Sequence, residues 1–164
     1  MKKWRLLWCS RLVSLRRMRY YSAMPVEIVR RAGGKKYPAR GLKSAAKKIL
    51  EMLKQDRAEL SIALVGDAEI GRLNARYRNK DYPTDVLSFP AAVGMPDGIR
   101  LLGDVVISVD KARQQAKERG RTLDQEMTTL LIHGVLHLLG YDHERSAKDA
   151  RIMGRLEKKL RRAL

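Results

Sequence analysis

All three histidines of this 164-residue chain fall in one short stretch, His133-Gly-Val-Leu-His137-Leu-Leu-Gly-Tyr-Asp-His143. Imidazoles four residues apart on an α-helix leave the same face one turn apart, close enough to share an ion. Gly140 supplies a left-handed residue that stops such a helix, so the chain reverses and returns His143 toward the first two. A lone histidine on an apolar helix is usually a hydrogen-bonded core residue. Three of them, with a glycine break before the third, point instead to a metal site with His133, His137 and His143 as ligands. Zn2+ suits an all-imidazole donor set, other divalent transition metals being the alternatives, and three protein ligands leave a fourth tetrahedral position for water.

The offsets also match the His-Glu-x-x-His-x-x-Gly-x-x-His pattern of metzincin proteases, with one difference. Gly134 stands where those proteases carry a glutamate general base, and a hydrogen atom accepts no proton. Peptide hydrolysis by the usual route is therefore disfavoured.

These ligands need a scaffold. Leu130, Leu131, Ile132, Val135, Leu136, Leu138 and Leu139 make the histidine helix apolar all round, which marks it as buried, and Thr122 with Gln125 forms a capping-box pattern at its start. Upstream, Val26 to Arg30 reads as a strand, and Ala39 to Lys54 as an amphipathic helix with Leu42, Ala46, Ile49, Leu50 and Leu53 on one face. Glu59 to Val65 reads as a second strand, followed by a helix capped by Asp67 and running to about Tyr77. A strand-helix-strand start implies a parallel pair. Asp85 to Phe89 and Gly103 to Ser108 read as two more strands, antiparallel because their connection is short. Helices over Asp110 to Arg119 and Ser146 to Arg162 complete the pattern, the last turning Ile152, Leu156 and Leu160 inward. The expected fold is α+β with an α/β-like start: a small mixed four-stranded sheet, about five helices, and the metal site on a buried helix of the C-terminal half and its following turn.

Thirty-five Lys and Arg against 18 Asp and Glu give a formal charge of +17, which points to a polyanionic partner, nucleic acid before anionic membrane. Scattered tyrosines and a single phenylalanine, Phe89, offer no interleaved stacking platform, so electrostatics should dominate. The single Cys9 excludes an internal disulfide framework. Residues 1–23 carry seven basic side chains, no acidic ones and an apolar run too short to span a membrane or form a signal core. They are expected to be a disordered basic extension or to precede a natural start at Met24, an organellar transit peptide being the minor alternative. Residues 24–164 are expected to form one domain.

Three segments occur together: the histidine stretch, Tyr77-Arg78-Asn79-Lys80-Asp81-Tyr82-Pro83-Thr84-Asp85-Val86-Leu87-Ser88-Phe89-Pro90, and Leu102-Gly103-Asp104-Val105-Val106-Ile107-Ser108. With these, the chain from about Met24 onward closely resembles the YbeY endoribonuclease family. The resemblance implies a metal-dependent, single-strand-specific endoribonuclease of ribosomal RNA processing, notably 16S 3′-end maturation, and of ribosome quality control. Its partners would be single-stranded ribosomal RNA and the ribosome or small subunit, in the cytoplasm and without stable membrane association. It carries the metal ligands onto His133, His137 and His143 and an important arginine onto Arg78. Zinc brings the pKa of bound water near 7, so a nucleophile forms without a glutamate, while the planar guanidinium of Arg78 suits a phosphate.

Other polar residues have more ordinary readings. Asp142 either orients an imidazole or caps the turn after Gly140. Asp81 and Asp85 fit turn and strand-edge roles, and Ser88 and Thr84 lack a base partner. Two competing functions stay open: a metallohydrolase of peptides or small molecules, which the histidine offsets favour and Gly134 opposes, and a noncatalytic ribosome-associated factor with structural zinc. A fourth protein ligand would favour the latter.

Overall fold

The computed structural model describes residues 26–55, 57–91 and 100–164; the expectations for the basic segment 1–23 lie outside that range. The elements follow as β1 (Val26–Arg30), α1 (Arg40–Met52), β2 (Ala58–Val65), α2 (Asp67–Arg78), β3 (Val86–Pro90), β4 (Arg100–Ser108), α3 (Val109–Glu118), α4 (Leu123–Leu138) and α5 (Ala147–Ala163). Among the described residues this is the expected α+β arrangement of a mixed four-stranded sheet with five helices. None of the helices in that range is long and apolar enough to cross a membrane.

The strand order is β1-β2-β4-β3. β1 runs parallel to β2 and β2 parallel to β4, while β3 returns antiparallel along β4 with Ser88 opposite Val105. Period-two alternation sends neighbouring residues of β4 to opposite faces. Val105 and Ile107 join the main core with α1, α3, α4 and α5, whereas Val106 joins Ala63, Val65 and Leu87 beneath Ile70 and Leu73 of α2. The sheet thus lies between one helix and a layer of four.

Between Glu59 and Leu60 the β2–β4 register slips, so that Leu60 faces Gly103 and Leu102 is left without a partner on β2. Gly103 has φ +137°, and a Cβ there would meet the Phe89 carbonyl oxygen at 2.3 Å, so this bulge of the Leu-Gly-Asp segment requires glycine.

Two local expectations are corrected. Asp67 is the first residue of α2 and not its N-cap, which is Gly66; the Asp67 N–H donates to Asp110 Oδ2 of α3 at 3.1 Å, so a neighbouring helix caps α2 from across the fold. On α5 the buried residues are Met153 and Leu160, with Leu156 packed against the core, and Ile152 lies to the side of that stripe. The helix is rotated relative to the expectation because its inner face must also carry Glu157, whose partner lies on α4.

Candidate metal centre and its surroundings

Helix α4 begins with the reciprocal capping box anticipated from sequence, Thr122 accepting from the Gln125 N–H while Gln125 accepts from the Thr122 N–H. It ends in a Schellman motif. Gly140, at φ +89°, donates its N–H to the His137 carbonyl at 3.0 Å, and Tyr141 donates to the Leu136 carbonyl at 3.1 Å. Tyr141 then packs on the core, which anchors the reversal that brings His143 back over the helix.

The reversal is braced by Asp142. Its Oδ1 accepts the Glu144 N–H at 2.9 Å, and its Oδ2 lies 3.4 Å from Arg145 Nε. The Glu144 hydrogen bond, ahead of nearby positive charge, holds the Asp142 carboxyl below its ordinary pKa. Of its two open roles, Asp142 thus performs the turn-forming one. Ser146 then caps α5 by accepting the Asp149 N–H at 3.1 Å.

These devices draw the three imidazoles together. One ligand-capable atom from each of His133, His137 and His143 lies within 4.8 Å of the others, and His133 Nε2 and His137 Nε2 are 3.1 Å apart. Two nitrogens each bound at the usual zinc distance, with a tetrahedral angle between them, would be about 3.3 Å apart. The donor set therefore fits a single ion. Burial first, and then the neighbouring imidazoles of His133 and His143, hold the pKa of His137 below its ordinary value; Asp142 opposes this shift and the Arg78 charge adds to it. That favours the neutral imidazole, the form able to ligate. Among the described residues the group holds no fourth imidazole, thiolate or carboxylate.

One participant escapes the sequence reading. Glu157 of α5 places Oε1 2.8 Å from His133 Nδ1. A carboxylate only accepts, so the bond fixes the proton on Nδ1 and leaves the Nε2 lone pair directed at the centre. The His133 bond, outweighing the cost of burial, keeps the Glu157 carboxyl below its ordinary pKa. The available signal is one carboxylate set between Met153 and Leu160 on the inner stripe of an otherwise basic helix.

Gly134 faces the sheet. A Cβ at this position would meet Val105 Cγ1 at 2.7 Å and Ser88 Oγ at 3.2 Å, and Ser88 donates its hydroxyl to the Gly134 carbonyl at 3.0 Å. The helix therefore packs too tightly for a glutamate, and Ser88 is a structural donor. Asp85 is structural as well: its Oδ1 accepts from the Val86 N–H at 2.8 Å and its Oδ2 from Gln115 Nε2 at 2.9 Å.

Arg78 closes α2 and is exposed, and Asp81 in the loop beyond it is exposed as well. Asn79 follows in a left-handed conformation, and buried Asn74 donates from Nδ2 to the Tyr82 carbonyl at 2.8 Å, fixing the path of the loop. The Arg78 guanidinium thus sits on a braced helix end with its charge felt at His137.

The profile of the Endoribonuclease YbeY family matches residues 28–164. An endoribonuclease YbeY of Persephonella marina is 52% identical over 117 residues, covering 71% of this chain and 76% of the relative. One from Myxococcus xanthus is 54% identical over 125 residues, covering 74% of this chain but only 42% of that longer protein. The solution structure of a protein from Thermotoga maritima is similar as well, with a TM-score of 0.57 at 31% identity, over 83% of this chain and 86% of the other. A family match that extends through all three sequence segments and the elements that join the histidines leaves one conclusion: the chain belongs to the YbeY endoribonuclease family.

Proposed function

We propose that the protein is a zinc-dependent, single-strand-specific endoribonuclease of ribosomal RNA processing. Its substrate would lie near the 3′ end of 16S RNA and in ribosome quality control, in the cytoplasm and in contact with the small subunit. The observation that carries this reading is the convergence of three imidazole nitrogens, with no fourth protein ligand among the described residues, on a strongly basic chain. Family membership supports the choice of RNA as substrate. Residues 24–164 would form the catalytic domain, with residues 1–23 an extension to it.

In this reading His133, His137 and His143 hold the ion. When bound, it supplies a Lewis acid that acidifies water and takes up charge on a phosphoryl oxygen. Glu157 holds His133 in the ligating tautomer, and Asp142 stiffens the turn that carries His143. The Arg78 guanidinium offers two parallel N–H donors to the non-bridging oxygens of the scissile phosphate and stabilises the charge that grows there. Peptide hydrolysis finds no general base on α4, because Val105 fills the space a glutamate at 134 would need.

Incubation of the purified protein with single-stranded ribosomal RNA and with casein, with and without a chelator, tests the proposal. RNA should be cut, chelation should stop the cleavage and zinc should restore it; cleavage of casein alone would overturn the reading. His137→Ala should lose the metal by mass spectrometry. Arg78→Glu should lose cleavage while retaining the metal, and unchanged turnover would remove Arg78 from the mechanism.

A further inference from the structure

Helix α5 turns its inner stripe, with Met153, Glu157 and Leu160, toward the core and α4. At 100° per residue, Lys148, Arg151, Arg155, Lys158, Lys159 and Arg162 fall on the opposite side in one narrow stripe. All six are exposed. None has an ion-pair or hydrogen-bond partner through its side chain among the described residues.

A face that merely solvates a helix normally mixes both signs, with carboxylates four residues before the cations. This face has the reverse composition. Arg151 and Arg155, Arg155 and Lys159, and Lys158 and Arg162 are like charges one turn apart, which disfavours the helix. The helix's two carboxylates lie elsewhere: Asp149 accepts from Ser146 and Glu157 holds His133. Nothing within the described fold neutralises the stripe.

We infer that the outer face of α5 is a phosphate track on which a single-stranded RNA runs as it passes the metal centre. Arg151, Arg155, Lys158 and Arg162 succeed one another at about 4.5–6 Å along the axis, a ladder that successive phosphates of an extended strand can follow. The track starts beside the turn bearing His143, so a strand held on the outer face reaches the reactive centre by passing round the start of α5. The absence of aromatic residues from the stripe makes the contact electrostatic and indifferent to sequence. An anionic membrane is the weaker partner, since the apolar side of α5 is already buried in the core. The inference rests on the endoribonuclease reading and adds where the strand lies.

The test uses the full-length, metal-loaded protein and a cleavage-resistant phosphorothioate oligoribonucleotide, with binding read by fluorescence anisotropy across a salt series. Replacing Arg151, Arg155, Lys158 and Arg162 by Gln should weaken binding at low salt by at least tenfold. It should also flatten the log–log salt slope by about 0.7 per lost contact, near 2.8 for all four. A control variant with Lys35, Lys36, Arg57 and Lys117 changed to Gln loses the same charge and should keep the wild-type slope. Melting of the α5 variant should be no lower than wild type, because repulsion is relieved. Equal losses in the two variants, or an unchanged slope in the first, would overturn the track while leaving the endoribonuclease reading intact. Loss of binding to phosphatidylglycerol vesicles with RNA binding unchanged would overturn it in favour of a membrane. Failure of the wild type to bind RNA at any salt would instead bring down the functional reading itself.

Discussion

Gly134→Ala adds one methyl group to the helix that carries two of the three histidines, and the structure fixes its consequence. The new Cβ would stand 2.7 Å from Val105 Cγ1 and 3.3 Å from Val105 Cγ2, against an ordinary carbon–carbon separation of about 3.6 Å. Val105 is fully buried on an interior strand, and both of its γ-carbons already face the glycine, so a rotamer change leaves one of them in the way. Helix and sheet must separate by nearly an ångström, a strain of about 1–3 kcal/mol. Replacing a helical glycine by alanine returns about 1 kcal/mol. The expected balance is a loss of up to about 2 kcal/mol, which for a chain of this size lowers Tm by up to about 8 °C.

The same displacement shifts His133 and His137 relative to His143 and Glu157, so zinc affinity in chelator competition should fall together with Tm. Val105→Ala removes two buried methyl groups and costs about 1.6 kcal/mol or more alone. In the Gly134→Ala background part of that space is already filled, so the two changes should couple favourably by about 1 kcal/mol. Thermal melts of the four proteins complete the cycle. A Gly134→Ala variant melting above wild type, or additive effects of the two changes, would refute the account of why glycine occupies this position.

Three further outcomes follow from other parts of the fold. Glu157→Gln should weaken zinc binding about 10–100-fold while the apo fold is retained, because the amide lacks the charge that supports the His133 tautomer; unchanged affinity in competition with a fluorescent chelator would place Glu157 outside the metal's surroundings. Glu126 is fully buried between Arg119 and Arg121, both substantially exposed, so Arg119→Ala with Arg121→Ala strands its carboxylate and should cost about 3–5 kcal/mol in urea unfolding. Glu126→Gln only releases two guanidinium groups to water and should cost nearer 1 kcal/mol; the opposite ranking would contradict the clamp. Burial first, then the hydrogen bond to Asp124, hold the Tyr37 phenol above its ordinary pKa, so the folded chain keeps a proton that the unfolded chain gives up near pH 10. The contribution is constant at lower pH and is lost as pH rises beyond about 10, so the stability gap between wild type and Tyr37→Phe, about 1 kcal/mol at pH 8, should narrow above that pH.

Where a structural decision is made within a few residues, the chain states it openly. The capping box at Thr122 and Gln125, the left-handed Gly140 and the 3.6-residue period of α1 are readable because cause and effect lie within one or two turns. Decisions made across the fold are hidden. Asp67 carries the composition of an N-cap, yet the oxygen bonded at that helix start comes from Asp110, 43 residues away. Glu157 resembles any other carboxylate until α5 folds back 24 residues to His133. Its presence on the inner stripe rotated the helix enough to exchange Ile152 for Met153 in the core.

Gly134 joins the two kinds of information. Sequence alone shows that a glutamate is missing from a histidine pattern otherwise shared with proteases, and it ties that absence to a chemical consequence. Packing supplies the cause: at residue 134 helix α4 meets the Ser88–Val105 pair of the sheet, which leaves no room for a glutamate. Charge handling then falls to elements outside α4: Glu157 of α5 is bonded to His133, and in the proposed function Arg78 at the end of α2 would supply the cation. A cation in that role would suit an anionic phosphodiester better than a neutral amide. The close helix–sheet contact therefore bears on substrate class as well as on stability.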